Sequence, residues 1–111
     1  MQLLFTLLNS NLNVISGTIT SNYSDNKISY KYNSFIAMIY INGLKNVAKD
    51  VSTTICTLPE GARPSDTRTV DISNPDGDVV RLFIQASGDV IVYNYTDKST
   101  SNIVHTFTYL K

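Results

Sequence analysis

Apolar and polar residues alternate along much of this chain at the two-residue period of a β-strand. Ile28, Tyr30 and Tyr32, for example, alternate with Ser29 and Lys31, as in a strand with one buried face. No window sustains the period of about 3.6 residues that marks an amphipathic helix. About nine or ten short strands recur at a spacing of roughly 8 to 12 residues. The pattern therefore predicts an all-β, antiparallel β-sandwich or jelly roll.

Turn residues separate the predicted strands. Gly17 interrupts a β-branched run and predicts a bulge or bend there. The pair Asn42-Gly43 predicts a type I′ hairpin turn in which both residues take a positive φ. In chain order, the predicted strands are residues 1–8, 13–20, 28–32, 35–41, a weak one at 44–48, 51–58, 67–72, 79–85, 90–95 and 102–110.

The segment 51–58 alternates without interruption and carries Cys56, the only cysteine of the chain. The alternation places Thr54, Cys56 and Leu58 on one face and Ile55 on the other. Because Cys56 belongs to an alternating run, we expect its side chain to be buried. A single cysteine also excludes a disulfide bond within one chain.

Two of the predicted strands are apolar on both faces. Residues 35–41 (FIAMIYI) contain no charged residue, and in residues 79–85 Val79 and Phe83 face away from Leu82. A two-layer sandwich buries only one face of each sheet. The surplus apolar faces need another cover, and in a chain this small a second copy of the chain supplies it best. The sequence therefore predicts a homo-oligomer.

The length of 111 residues fits one domain, which we assign to residues 1–111. Nine basic and nine acidic residues cancel and are scattered along the chain, so the sequence carries no electrostatic signature of a nucleic-acid partner. The apolar start at residues 1–8 is much shorter than the roughly 20 residues of a membrane span. We expect neither nucleic acid nor membrane insertion.

Candidate catalytic and metal-binding residues are few. One histidine and one cysteine cannot form a tetrahedral zinc site. The sequence Asp76-Gly77-Asp78 resembles a fragment of a calcium loop, but Asp-Gly in a hairpin turn explains it better. His105 alternates with Ile103 and Phe107, as a hydrogen-bonded core or interface histidine does. The sequence predicts no enzyme, no metal and no cofactor.

A binding surface is the remaining candidate. At a predicted strand end, the rings of Tyr93 and Tyr95 lie beside the Asn94 amide and the Asp97 carboxylate. This mixture suits a sugar, whose apolar face stacks on a ring and whose hydroxyls bond to the amide or the carboxylate. Arg81 joins them if strands 79–85 and 90–95 form a hairpin, and His105 is a further candidate. The alternative is that the tyrosines only cover the edge of the core, and that Arg81 is a surface ion-pair partner.

The connection Leu58–Ser65 (LPEGARPS) cannot be a regular central strand. Pro59 and Pro64 fix φ and lack a backbone donor, while Gly61 permits a positive φ. Such an irregular loop leaves carbonyl groups without strand partners. The guanidinium of Arg63, with five donors, is placed to bind them.

Three segments resemble a known family. They are Thr57–Ser65 (TLPEGARPS), Phe83–Val90 (FIQASGDV) and the final Phe107–Leu110 (FTYL). Together they resemble the C-terminal head domains of tail-fibre and baseplate receptor-binding proteins from phages and prophages of Gram-positive bacteria, including lactococcal siphophages. The resemblance covers about residues 35 to 110. This chain departs from the pattern in having Ala62 where an aromatic residue is common, and in having no Trp.

The resemblance implies a homotrimeric head at the tail tip of a virion, attached to other tail or baseplate proteins. It further implies binding of a host cell-wall saccharide without catalysis. It transfers no saccharide-binding residue, since these contacts lie at protomer boundaries and vary. Two alternatives stay open: a structural tail or baseplate domain, and a carbohydrate-binding accessory domain of a cell-wall hydrolase. The residues that carry over as scaffold are Leu58, Pro59, Gly61, Arg63 and Pro64.

Overall fold

A computed structural model describes residues 14–21, 27–45, 47–100 and 102–111. Their strands form two antiparallel four-stranded sheets, so the predicted β-sandwich is confirmed. Sheet 1 has the order β1-β2-β3-β8, and sheet 2 has the order β4-β7-β6-β5. The predicted strand at 1–8 lies outside the described residues. The strands are β1 (Ile15–Thr20), β2 (Lys27–Tyr32), β3 (Ile36–Leu44), β4 (Ser52–Thr57), β5 (Arg68–Ser73), β6 (Val79–Ile84), β7 (Asp89–Asn94) and β8 (Ile103–Leu110).

The hydrophobic core lies between the two sheets. Alternation along most of the strands points every second side chain inward, so that Ile39 of β3 and Leu82 of β6 are fully buried. Burying an aliphatic side chain of this size contributes roughly 1.5–3 kcal/mol. Tyr30, Tyr32 and Phe107 pack on the core while remaining partly exposed. The side chains that alternate with the core positions form the outward faces of the two sheets.

The strand β3 does not end in the predicted hairpin at Asn42-Gly43. It continues to Leu44 and pairs with β8, with a register shift between Asn42 and Leu44. Gly43 has a φ of 86°, but Asn42 does not have the positive φ that a type I′ turn requires. In the described chain, Asp50 is the one non-glycine residue with a positive φ. The type I′ turn was therefore wrong, and so was the strand predicted at 44–48. A bulge at Gly43 lets the strand continue until Leu44 is buried opposite Ile103.

The strand β4 has a bulge that the sequence pattern did not predict. Its register shifts between Thr54 and Cys56, and Ile55 and Cys56 are both buried. The predicted uninterrupted alternation was wrong, whereas the predicted burial of Cys56 is confirmed. One extra residue in the strand turns two successive apolar side chains toward the core.

Gly17 does not form the predicted bulge. It pairs with Tyr30 in a continuous β1–β2 register, and the Tyr30 ring occupies the space in which a Cβ at Gly17 would lie. The glycine therefore makes room for a cross-strand aromatic ring.

One pair of sheet edges is connected. Arg68 of β5, at the edge of sheet 2, donates from Nε to the Leu110 carbonyl of β8, at the edge of sheet 1, over 3.3 Å. The other two edges are β1 and β4. The chain crosses between the sheets after β3 and again after β7, which brings β8 back beside β3.

Candidate functional site

The LPEGARPS connection folds around Arg63. Arg63 donates from Nε to the Leu58 carbonyl over 3.1 Å, as the sequence predicted. A short 3₁₀ turn at Glu60–Ala62 follows Pro59, and the Ala62 amide donates to the Pro59 carbonyl over 3.0 Å. These bonds give a loop with two prolines one defined shape, because they satisfy carbonyls that no strand pairs.

The three segments that carry the family resemblance meet in space. The Leu58 amide donates to the carbonyl of Gly88, in the β6–β7 turn, over 2.9 Å. The Tyr109 hydroxyl, on the final strand, donates to the Ala62 carbonyl over 2.6 Å. Tyr109 is 3% exposed, and this burial raises the pKa of its hydroxyl. These two hydrogen bonds connect the loop to the β6–β7 turn and to the last strand, and the scaffold role that the resemblance implies for the loop stays a prediction.

Tyr93, Tyr95 and Arg81 come together on the outward face of sheet 2, and we call them the tyrosine patch. β6 and β7 form the hairpin on which the place of Arg81 in the patch depended, and Arg81 pairs with Tyr93 in it. The ring centroids of Tyr93 and Tyr95 are 4.6 Å apart at an interplanar angle of 53°. The guanidinium carbon of Arg81 lies 5.6 Å from the centroid of the Tyr95 ring, within the range of a cation–π contact.

Asp71 on β5 holds the guanidinium in place. Arg81 donates from Nε and Nη2 to the two carboxylate oxygens of Asp71, over 2.7 and 3.2 Å. These hydrogen bonds lower the pKa of Asp71 and raise that of Arg81. Both side chains are exposed, so the pair adds little to stability, but its two-point geometry orients the cation over the ring. Arg81 is thus both an ion-pair partner and a member of the patch.

Asn94 shapes the loop that begins at Tyr95. It is fully buried and donates from Nδ2 to the carbonyls of Val47 and Lys98, over 2.9 and 2.8 Å. Its Oδ1 accepts from the Thr96 amide over 2.8 Å. Sequence reasoning treated Asn94 as a sugar-binding amide of the exposed surface. Its place in the inward alternation with Val92 was the signal that it is internal.

The outward face of sheet 2 continues beyond the patch as an apolar row. Phe83 pairs with Ile91, both half-buried, and Val79 beside Tyr95 is 44% exposed. The flanking strands place polar side chains on this face, among them Thr54 and Asp71. The center of the face is therefore apolar and its margins are polar.

The other two predicted site residues lie elsewhere. Asp97 is exposed in the loop after Tyr95. His105 is on β8 of sheet 1 opposite Ile41, on the inward side, and burial lowers its pKa. The structure therefore brings together Arg81, Tyr93 and Tyr95, and it places His105 on a different sheet.

A scan of protein-family models and a search of curated proteins each gave no match to this chain. Within the described ranges, no three His, Cys, Asp or Glu side chains are grouped to hold a metal ion. No helix in that part of the chain is long and apolar enough to cross a membrane. The family resemblance thus remains a prediction that rests on the three segments and their contacts.

Proposed function

We propose that this chain is the head domain of a phage tail-fibre or baseplate protein and binds a saccharide on the surface of a Gram-positive host. It does so without catalysis, through the tyrosine patch. The observation that carries this proposal is the juxtaposition of Arg81, Tyr93 and Tyr95 on an outward sheet face.

The chemistry of the patch suits a neutral sugar. Two tyrosine rings at 53° to each other present two differently oriented faces on which the apolar side of a pyranose can stack. Asp71 neutralises the charge of Arg81 while other guanidinium N–H groups remain to donate to sugar hydroxyls. A ligand with hydroxyl groups and no charge matches this surface.

The family resemblance also implies that the head domain is a homotrimer. In a homotrimer, three weak sites act together and gain avidity on a surface with many copies of one saccharide. The apolar row at Phe83 and Ile91 adjoins the patch on the same face, so packing of that row against a second copy would put the patch at a protomer boundary. The resemblance implies that the saccharide contacts lie at such a protomer boundary.

The same apolar row favours the structural alternative, a tail or baseplate domain that only holds its neighbours. In that case Phe83 and Ile91 are the functional residues, and the tyrosines are the margin of an interface. An accessory domain of a cell-wall hydrolase would use the patch as proposed here, and the parent reading frame would then encode a catalytic domain.

The experiment is binding of the Tyr93→Ala/Tyr95→Ala variant to an array of Gram-positive cell-wall polysaccharides. Loss of two stacking rings is expected to weaken binding roughly tenfold or more, with the oligomeric state unchanged. Phe35→Ala, which removes a 54% exposed ring just before β3, is the matched control and retains binding. Unchanged binding in the double variant rules out the patch as the saccharide site.

A further inference from the structure

The register of sheet 2 forms one row of outward side chains across its four strands. Asp71 of β5 is opposite Arg81 of β6. Arg81 is opposite Tyr93 of β7, which is opposite Ser52 of β4. Directly opposed residues of antiparallel strands lie side by side on the same face of a sheet. Arg81 therefore has a carboxylate on one side and an aromatic ring of the tyrosine patch on the other.

Asp71 occupies an edge of the guanidinium that is well suited to bind an acid. Its two oxygens accept from Nε and Nη2 of Arg81, over 2.7 and 3.2 Å. Through such an edge, an arginine binds a carboxylate or a phosphate at two points. The other N–H groups of Arg81 can still donate to uncharged acceptors such as hydroxyl groups. A second carboxylate would have to bind these remaining donors while it lies close to Asp71.

A ligand on the tyrosine patch meets this ion pair directly, because both side chains reach solvent. The Arg81 side chain is 42% exposed and that of Asp71 is 59% exposed. Hydrogen bonds from Arg81 lower the pKa of Asp71, so its carboxylate is ionised at neutral pH. Two carboxylates that lie close together repel each other. An acidic group that approaches Arg81 is therefore disfavoured, whereas a sugar hydroxyl is not.

We propose that Asp71 determines the charge selectivity of the tyrosine patch, so that the patch takes an uncharged saccharide and rejects one that bears a carboxylate. This inference rests on the proposed function, because it assigns the ligand charge of that same site. Asp71 neutralises Arg81, holds it beside Tyr95 and repels a second acid. Without this negative charge, the patch is a cation beside two aromatic rings, which suits a sugar carboxylate.

The experiment is a titration of the full chain and of Asp71→Asn with two probes, followed by amide chemical shifts. Methyl β-glucuronide and methyl β-glucoside differ at one carbon, which is a carboxylate in the first and a hydroxymethyl group in the second. The wild type should bind the neutral probe at least as tightly as the acidic one. Asp71→Asn should bind the acidic probe roughly tenfold more tightly than the wild type does, with shifts in β6 and β7. It should not gain affinity for the neutral probe.

Two further variants show whether the gain comes from Arg81. Asp66→Asn removes an exposed carboxylate just before β5 and changes the net charge by the same amount, so it is the matched control and should gain nothing. The double variant Asp71→Asn/Arg81→Gln removes the cation as well and should lose the gain. Because an exposed ion pair adds little to stability, we expect these variants to fold.

The outcomes separate this inference from the proposed function. A wild type that prefers the acidic probe, no gain in Asp71→Asn, or an equal gain in Asp66→Asn would each overturn the role of Asp71. Binding of the neutral probe at the patch without a gain in Asp71→Asn would leave the proposed function standing alone. If the wild type binds neither probe and Asp71→Asn gains the acidic one at β6 and β7, the role of Asp71 stands and the saccharide function loses its support.

Discussion

Gly88 is the residue on which the LPEGARPS loop and the β6–β7 turn depend together. Its φ is 92°, and a Cβ at this position would lie 2.8 Å from the Leu58 carbonyl oxygen and 2.6 Å from Arg63 Nε. Gly77, in the β5–β6 turn, has a similar φ of 84° and no atom within 4 Å of such a Cβ. Comparing alanine substitutions at the two glycines therefore separates the free-energy cost of a strained backbone from the free-energy cost of a close contact.

Gly88→Ala is expected to lower the free energy of unfolding by about 2–4 kcal/mol, because backbone strain and displacement of a hydrogen-bonded carbonyl add together. Gly77→Ala should cost only about 1–2 kcal/mol, since it introduces strain alone. Urea denaturation of both variants measures the difference. Equal losses would mean that the contact of Gly88 with Leu58 and Arg63 does not contribute.

Cys56 makes stability depend on pH in the alkaline range. Burial, with a smaller contribution from Asp89, raises the pKa of its thiol from 9.0 to about 12. As pH rises, the thiol of the unfolded chain ionises at a lower pH than the buried thiol of the folded chain. The contribution of the buried thiol to the free energy of unfolding is therefore complete below about pH 9 and is lost as pH rises toward 12. The loss approaches about 1.4 kcal/mol per pH unit for one group.

The measurement is the free energy of unfolding of wild type and Cys56→Ala between pH 8 and about pH 10, the usual pKa of tyrosine. Tyr109, whose pKa burial also raises, contributes above this range. Cys56→Ala should be less stable at pH 8 and should show the smaller decrease as pH rises. Parallel curves for the two proteins would contradict the assignment to Cys56.

Among the strands, β7 determines the geometry of the candidate site because its last residue points inward. The Asn94 side chain forms hydrogen bonds with the Val47 carbonyl before β4 and with the Thr96 amide and the Lys98 carbonyl of the loop after β7. The loop thus has a fixed path, and Tyr95 at its start donates its backbone amide to the Val79 carbonyl over 2.9 Å. The tyrosine patch depends on this internal amide although Asn94 is itself buried.

Asn94→Ala is expected to destabilise the protein by about 2–4 kcal/mol, because it removes the donor of the Lys98 carbonyl, the acceptor of the Thr96 amide and one of the two donors of the Val47 carbonyl. The exposed Asn42→Ala on β3 is the control and should change stability by less than about 0.5 kcal/mol. Thermal unfolding compares the two variants. A small effect of Asn94→Ala would show that the loop does not need these bonds.

At the scale of the whole molecule, the two outward faces differ in chemistry. The face of sheet 2 has an apolar center that includes Phe83 and Ile91, while the face of sheet 1 carries lysines, hydroxyl groups and Tyr40. Exposed apolar surface of this kind marks an interaction site. We expect the apolar row at Phe83 and Ile91, rather than the outward face of sheet 1, to form the contact between copies of the chain.

Size-exclusion chromatography with light scattering should give a concentration-independent trimer for the wild type. Phe83→Asp is expected to give a folded monomer, because a carboxylate at this position would have to be buried in the contact. Val104→Asp is the control, since it replaces a 49% exposed side chain on sheet 1 and should remain trimeric. A monomeric wild type, or dissociation by both variants, would exclude this interface.

Local chemistry was enough to predict much of the architecture. The two-residue alternation predicted the sandwich, and the Asp-Gly pair at residues 76–77 predicted the turn of the β5–β6 hairpin. It was not enough at Asn42-Gly43, where a pair that favours a hairpin lies within a longer strand. Burial of Leu44 against β8 outweighs the local preference, and burial depends on residues distant in the chain.

The sequence by itself determined the fold class, the irregular loop with its arginine, the burial of Cys56 and the Asp-Gly hairpin turn at residues 76–77. These depend on alternation, on proline and glycine dihedrals and on hairpin register, which are properties of neighbouring residues. Only the tertiary structure decided that His105 is separate from the tyrosine patch and that Asn94 is internal. Each of these depends on which sheet and which face a strand occupies, and that is set by packing between segments far apart in the chain.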